Sequence, residues 1–299
     1  ETGRAADFVG ELRFDALQTP DSIHDGLVPD AWRLAAGFPA EVLPPRMAST
    51  HKGDLGHVLV CGGDHGMPGA CLLAARAALM AGSGLVSVAT RRAHATILAG
   101  SLPEAMWSDG EDGDRLDALV ARADTIALGP GLGRSEWSRS VVQRLLGFDG
   151  PLVVDADALN LLAESPRERD DWVLTPHPGE AARLLGCSAQ EVQGDRFAAI
   201  RELAARFRAV TVLKGAGSLI ADADGDVAVC PFGNPAMATA GMGDALTGII
   251  ASLLGQGVPA YPAACAGVVL HARAGDSAAA GRRSILAGEL IDALPRVLP

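Results

Sequence analysis

The chain has 299 residues, of which 48% are hydrophobic and 20% charged, and a formal net charge of −11. Its length fits one large domain or two small ones, and its composition fits a soluble globular protein with a large buried core. The negative balance argues against a general binder of nucleic acid or anionic membranes, and the apolar runs are too short or too interrupted to span a bilayer.

The first residues, Glu1-Thr-Gly-Arg-Ala-Ala-Asp-Phe-Val-Gly-Glu-Leu-Arg-Phe14, are acidic and lack an apolar signal-peptide stretch. They read as the end of something else: a tag scar, a processed terminus or the tail of an upstream domain. Residues 1 to about 45 are punctuated by Pro and Asp, which predicts a linker with one short helix near Pro29–Ala36.

From His57 the pattern changes. Strand-like runs fall at His57–Cys61, Leu85–Ala89, Thr125–Leu128, Leu152–Val154, Trp172–Leu174 and Val210–Leu213. Helical stretches fall at Gly69–Ala81, Leu116–Ala123, Ser135–Leu146, Ala181–Leu185 and Arg196–Phe207. Apolar strands alternating with amphipathic helices predict an α/β fold: a mostly parallel sheet with helices on both faces. Ser218–Ala221 and Val227–Cys230, separated by Asp222-Ala-Asp-Gly-Asp226, predict a small antiparallel hairpin beside that sheet.

The next segment, Asn234-Pro-Ala-Met-Ala-Thr-Ala-Gly-Met-Gly-Asp244, opens onto an apolar helical run, Ala245–Leu254, with two or three helices to follow. Free amides and the positive helix end at such a turn favour a phosphate. Gly241 and Gly243 allow close backbone approach. Asp244 would repel phosphate, so a proton-accepting task explains it; the alternative is a simple N-cap.

Five turns, four of them containing glycine, sit at predicted strand C-termini, where ligands bind in open α/β sheets: Gly62–Gly66, Gly129–Gly133, Asp155–Asn160, Thr175–Glu180 and Lys214–Ser218. None is a P-loop or a dinucleotide fingerprint. Lysine occurs only at Lys52 and Lys214, and asparagine only at Asn160 and Asn234, all within motifs. A compact ammonium in an otherwise arginine-using chain suggests a specific need. His177, held between prolines, is a candidate ligand contact, whereas His51 and His65 are ambiguous. Asp155 and Asp157 are candidates to hold Mg²⁺ through water, with capping the alternative for Asp157. Five cysteines (61, 71, 187, 230, 265) without a C-x-x-C suggest neither a disulfide framework nor a zinc site, so the expected compartment is the cytoplasm.

Together, His51-Lys-Gly-Asp54, Gly62-Gly-Asp-His-Gly66, Gly129-Pro-Gly-Leu-Gly133, Asp155-Ala-Asp-Ala-Leu-Asn160, Thr175-Pro-His-Pro-Gly-Glu180, Leu213-Lys-Gly-Ala-Gly217 and Gly241-Met-Gly-Asp244 resemble, in order, the NAD(P)H-hydrate dehydratases. The resemblance covers about residues 46–299. It implies a ribokinase-like fold and the nucleotide-dependent dehydration of (6S)-NADHX or NADPHX, with ADP or ATP and Mg²⁺ as cofactors. It also implies that 1–45 is the linker or tail of an upstream epimerase domain and 46–299 the dehydratase domain of a bifunctional repair enzyme. A homo-oligomer, commonly a tetramer, is the family habit.

By the same resemblance, Asp244 matches the base on the substrate hydroxyl and a substrate contact. Gly243 and Lys214, Gly215, Ala216, Gly217 and Ser218 match the nucleotide site, with Ser218 standing where Thr is usual. Ala70, Gly131 and His177 match substrate contacts. Asn160, Asn234 and Gly241 are secondary candidates. The rival readings are a hydroxyethylthiazole- or hydroxymethylpyrimidine-type kinase of the same fold and a non-catalytic dinucleotide sensor. Thr175–Glu180 with Gly129–Gly133 favours the dehydratases over the kinases, and Asp244 argues against the sensor.

Overall fold

Short apolar runs bounded by glycine or polar turns form the strands: β1 (Trp32–Arg33), β2 (His57–Cys61), β3 (Leu85–Thr90), β4 (Met106–Asp109), β5 (Thr125–Leu128), β6 (Leu152–Val154), β7 (Trp172–Leu174), β8 (Val210–Leu213), β9 (Ser218–Ala221) and β10 (Val227–Cys230). The helices are α1 (Phe38–Val42), α2 (Pro68–Met80), α3 (Arg92–Ala99), α4 (Gly113–Val120), α5 (Glu136–Leu145), α6 (Ala156–Glu164), α7 (Pro178–Leu185), α8 (Ala189–Gly194), α9 (Arg196–Phe207), α10 (Met242–Gly255), α11 (Ala260–Ala279) and α12 (Ala287–Ala293). This computed structural model describes residues 1–299 except Glu1, Glu11, Phe14 and His24.

The strands join in one sheet in the order β1-β10-β9-β8-β7-β6-β5-β2-β3-β4. Strands β2 to β8 pair in parallel, β9 is antiparallel to both β8 and β10, and β1 lies parallel to β10. Side chains alternate between faces. Val58 and Val60 therefore join the core under α2, α3 and α10 to α12, while Leu59 and Cys61 join the core under α4 to α9.

Helix α10 is apolar nearly all round, and every residue from Ala245 to Leu254 is buried, as expected of a helix enclosed on all sides. Gly248 lets α2 press against it, because a methyl group there would lie 2.1 Å from the Ala74 carbonyl oxygen. Burial of Leu246, Ile249, Ile250 and Leu253 contributes about 1.5–3 kcal/mol each. The turn at the head of α10 thus stands on a rigid element.

The helix expected near Pro29–Ala36 does not form. Trp32–Arg33 instead adds β1 to the open edge of β10, and the Leu34 amide donates to the Val229 carbonyl at 2.9 Å. Backbone pairing along a ready-made edge, with Leu34 buried beneath it, outweighs a short helix with no partner. The predicted hairpin is a continuation of the sheet rather than a unit beside it. Strand β4 and helices α3, α6 and α8 also go beyond the sequence expectation. Among the described residues no helix is long and apolar enough to cross a membrane.

Candidate active site

Strands β2, β5, β6, β7 and β8 are parallel, so the segments that follow them gather along one edge of the sheet. Backbone bonds then lock the turns together: the Gly63 amide donates to Pro130 O at 2.9 Å, Asp64 to Gly131 O at 2.7 Å, and Lys214 to Pro176 O at 2.9 Å. Gly131, at φ 58°, packs so tightly on α2 that a methyl group would meet Met67 O at 2.6 Å and the Ala70 methyl at 2.8 Å. Ala70 and Gly131 are therefore in close contact.

The α10 turn packs against the same helix, α2. Gly241 occupies the N-cap position in the left-handed region at φ 89°, where a side chain would also strike Leu73. The amides of Met242, Gly243 and Asp244 donate to no acceptor among the described residues, leaving an unfilled cluster of donors at the positive helix end. Asn234 shapes the approach to this turn by accepting from the Ala236 amide at 3.0 Å and donating to Asp276 at 2.7 Å. From α11, His271 Nε2 donates to the Met242 carbonyl at 2.9 Å. Burial pushes this imidazole down to about 4, so it serves as a neutral donor.

Asp244 is the third residue of α10 and makes no capping bond, so the N-cap alternative is set aside. Beside it lies a charge cluster: Lys214 Nζ is 2.6 Å from Asp155 Oδ1 and 3.8 Å from Glu180 Oε2. The other Asp155 oxygen accepts from Thr247 at 2.8 Å. Gly243 completes the fit, since a methyl group there would lie 3.3 Å from Lys214 Nζ and 3.6 Å from Asp155 Oδ2. Burial alone would raise Asp155 and lower Lys214, yet their mutual attraction holds Asp155 below and Lys214 above its ordinary value. Asp244 receives less help. Burial, reinforced by the charge of Asp155 and only partly opposed by Lys214, raises it to about 6. A carboxyl group beside free amides, poised to ionise near neutrality, suits a general base facing a phosphate.

The NAD(P)H-hydrate dehydratase family profile matches residues 58–296. The chain belongs to that family. It is 48% identical to a bifunctional NAD(P)H-hydrate repair enzyme of Coxiella burnetii over 299 residues, 99% of this chain and 61% of that protein. It thus spans about three fifths of the length of such bifunctional relatives. A ribokinase-like superfamily protein of Enterococcus faecalis superposes with a TM-score of 0.85 at 29% identity, covering 91% of this chain and 96% of that one. The ADP/ATP-dependent NAD(P)H-hydrate dehydratase of Bacillus subtilis, co-crystallised with ATP and Mg²⁺, gives 0.77 at 34% identity, covering 89% and 97%. The ribokinase-like expectation for the fold holds.

Within this dehydratase fold the residues singled out by sequence fall into two groups. Asp244, Gly243, Gly241 and Lys214 meet at the α10 turn, with His177 linked to them through Glu180. His177 has a local task as well: it caps α7, its Nδ1 accepting from the Gly179 amide at 2.9 Å while Glu180 accepts from the His177 amide at 2.8 Å. The ring remains half exposed. Asn160 instead joins a polar network with Asp157 and Arg183, and Asn234 is a turn-builder.

Asp157 does not cap α6; it accepts from the Gly133 amide at 2.9 Å. Asp155 accepts from Lys214 and Thr247. Among the described residues no three His, Cys, Asp or Glu side chains converge as a metal site. Glu180 and Thr247 were not singled out by sequence. A His-x-x-Glu capping box marks the first, and the second lies one helical turn after Asp244.

Proposed function

We propose that this chain dehydrates (6S)-NADHX or NADPHX at the expense of an adenine nucleotide. Asp244 carries the reading: a base held at a helix N-terminus whose first amides have no acceptor among the described residues. The free amides of Met242, Gly243 and Asp244 fit the terminal phosphoryl group. Gly215, Ala216 and Gly217, whose amides also lack acceptors among the described residues, fit the remainder of an ADP or ATP, with Ser218 closing the segment through its hydroxyl on Gly215 O at 3.0 Å. Mg²⁺ would arrive with the nucleotide and neutralise phosphate charge.

Ala70, Gly131 and His177 would border the hydrated dinucleotide. Asp244 then takes the proton of the C6 hydroxyl while that oxygen bonds to the terminal phosphorus and the nucleotide leaves one phosphoryl group shorter. Loss of phosphate from C6 and of a ring proton restores the dihydronicotinamide. An upstream epimerase domain, a cytoplasmic location and a homo-oligomeric state belong to the same proposal; the buried thiols of Cys61, Cys71, Cys230 and Cys265 suit a reducing compartment.

The test is recovery of dihydronicotinamide absorbance from hydrated NADH with ADP or ATP and Mg²⁺. Recovery that needs no nucleotide, or none with either nucleotide, would overturn the proposal. A pH expectation follows. Asp244 must be ionised to act, and its carboxyl rises from 3.8 to about 6. The rate constant kcat/KM should therefore fall as pH drops through 6 and be near its plateau by pH 7.5. A flat profile between pH 5 and 7.5 would remove Asp244 from the role.

A further inference from the structure

The segment Gly215–Ser218 leaves β8 in a tight turn with left-handed glycines at Gly215 (φ 141°) and Gly217 (φ 59°). Two glycines free the backbone, so something else must fix it. Arg196, at the first position of α9, is only 4% exposed and has no carboxylate partner among the described residues. Its guanidinium instead donates to backbone carbonyls: Nη2 reaches Leu213 O at 3.1 Å and Lys214 O at 3.5 Å, and Nη1 bonds Gln193 Oε1 at 2.9 Å. Its Nε donates to Thr2 Oγ1 at 2.7 Å, and that hydroxyl donates to Gly217 O at 2.7 Å. The Gly3 amide donates to Ala216 O at 2.8 Å. A buried cation is costly unless its donors are used, and here they are used on both ends of one loop.

We infer that Arg196 is a positioning residue for the nucleotide, clamping Lys214–Ser218 between α9 and the Thr2–Gly3 turn so that the loop amides face outward. This rests on the proposed function, in which that loop holds the nucleotide. With the loop carbonyls tied down by Arg196, Thr2 and Gly3, the amides of Gly215, Ala216 and Gly217 have no acceptor among the described residues, as an anion site requires. Because the clamp and the ligand share one loop, each should steady the other.

The test uses the full chain with Thr2→Val and Arg196→Lys. Thr2→Val keeps the shape of this partly buried residue and removes only the bridging hydroxyl. We expect ADP affinity, by calorimetry, to weaken about three- to tenfold, KM for the nucleotide to rise in step, and kcat and melting temperature to stay close to wild type. Arg196→Lys should weaken ADP further, because one ammonium cannot reach both ends of the loop. Hydrogen exchange provides a second readout: ADP should slow exchange in residues 2–9 of the wild type and not in Thr2→Val. Wild-type ADP affinity in Thr2→Val, with the same ADP-induced slowing of exchange as in the wild type, would overturn the clamp while leaving the dehydratase reading intact. A wild type that binds no adenine nucleotide would overturn the loop assignment and the clamp with it.

Discussion

Asp244→Asn should lower turnover of hydrated NADH by about 10²–10⁴-fold, the usual contribution of a general base. Asn keeps the size of the side chain, and Gly241 rather than Asp244 holds the cap position, so α10 should start as before. Nucleotide affinity should hold or rise, because a negative charge leaves the phosphate site. Stability should hold or rise as well. The folded carboxyl keeps its proton up to about pH 6, whereas its ordinary value is 3.8. Between those values the folded state binds the extra proton, and above them ionised Asp244 opposes folding, by up to about 3 kcal/mol. Removing that opposition should raise the melting temperature at pH 7.5 but not at pH 4. Turnover within a few-fold of wild type would end the assignment of Asp244 as the base.

Lys214→Met should destabilise the protein by about 3–5 kcal/mol, the cost of stranding a buried charge. Asp155 is almost fully buried and Lys214 Nζ is its ionic partner at 2.6 Å; Glu180 loses the same cation at 3.8 Å. Lys214 also restrains the rise of Asp244, so without it the acid limb of the pH profile should move above pH 6. A melting temperature unchanged within a degree or two, with the limb unmoved, would mean that Lys214 faces only the nucleotide.

The sequence made β2 and β5 to β10 legible to the residue, because each is a short apolar run with punctuation at both ends. It made the site edge legible for the same reason: turns that follow parallel strands must gather at one end. The missing elements have separate causes. Helix α6 hides behind Asp155-Ala-Asp-Ala-Leu-Asn160, which reads as a turn, and α8 is only six residues long, although its Ser188-x-x-Glu191 capping box was available as a signal. Strand β1 exists because β10 offers an edge, which is a fact of tertiary structure. The partnership of Lys214 with Asp155 crosses 59 positions and Arg196 looks like any other arginine, so neither could be read without the fold.

Ala156 is one of few non-glycine residues in the left-handed region, at φ 50°, and it directly follows Asp155. Such a conformation costs on the order of 1–3 kcal/mol. It turns the chain so that the Asp155 side chain makes no cap on α6 and reaches Lys214 instead. With three carboxylates crowded near one ammonium, the site is locally frustrated inside a fold whose other parts agree with one another. Whatever occupies it in the cell and relieves that conflict also stabilises the whole chain. Metabolite levels would then help to set how much of the protein survives proteolysis, as well as how fast it works.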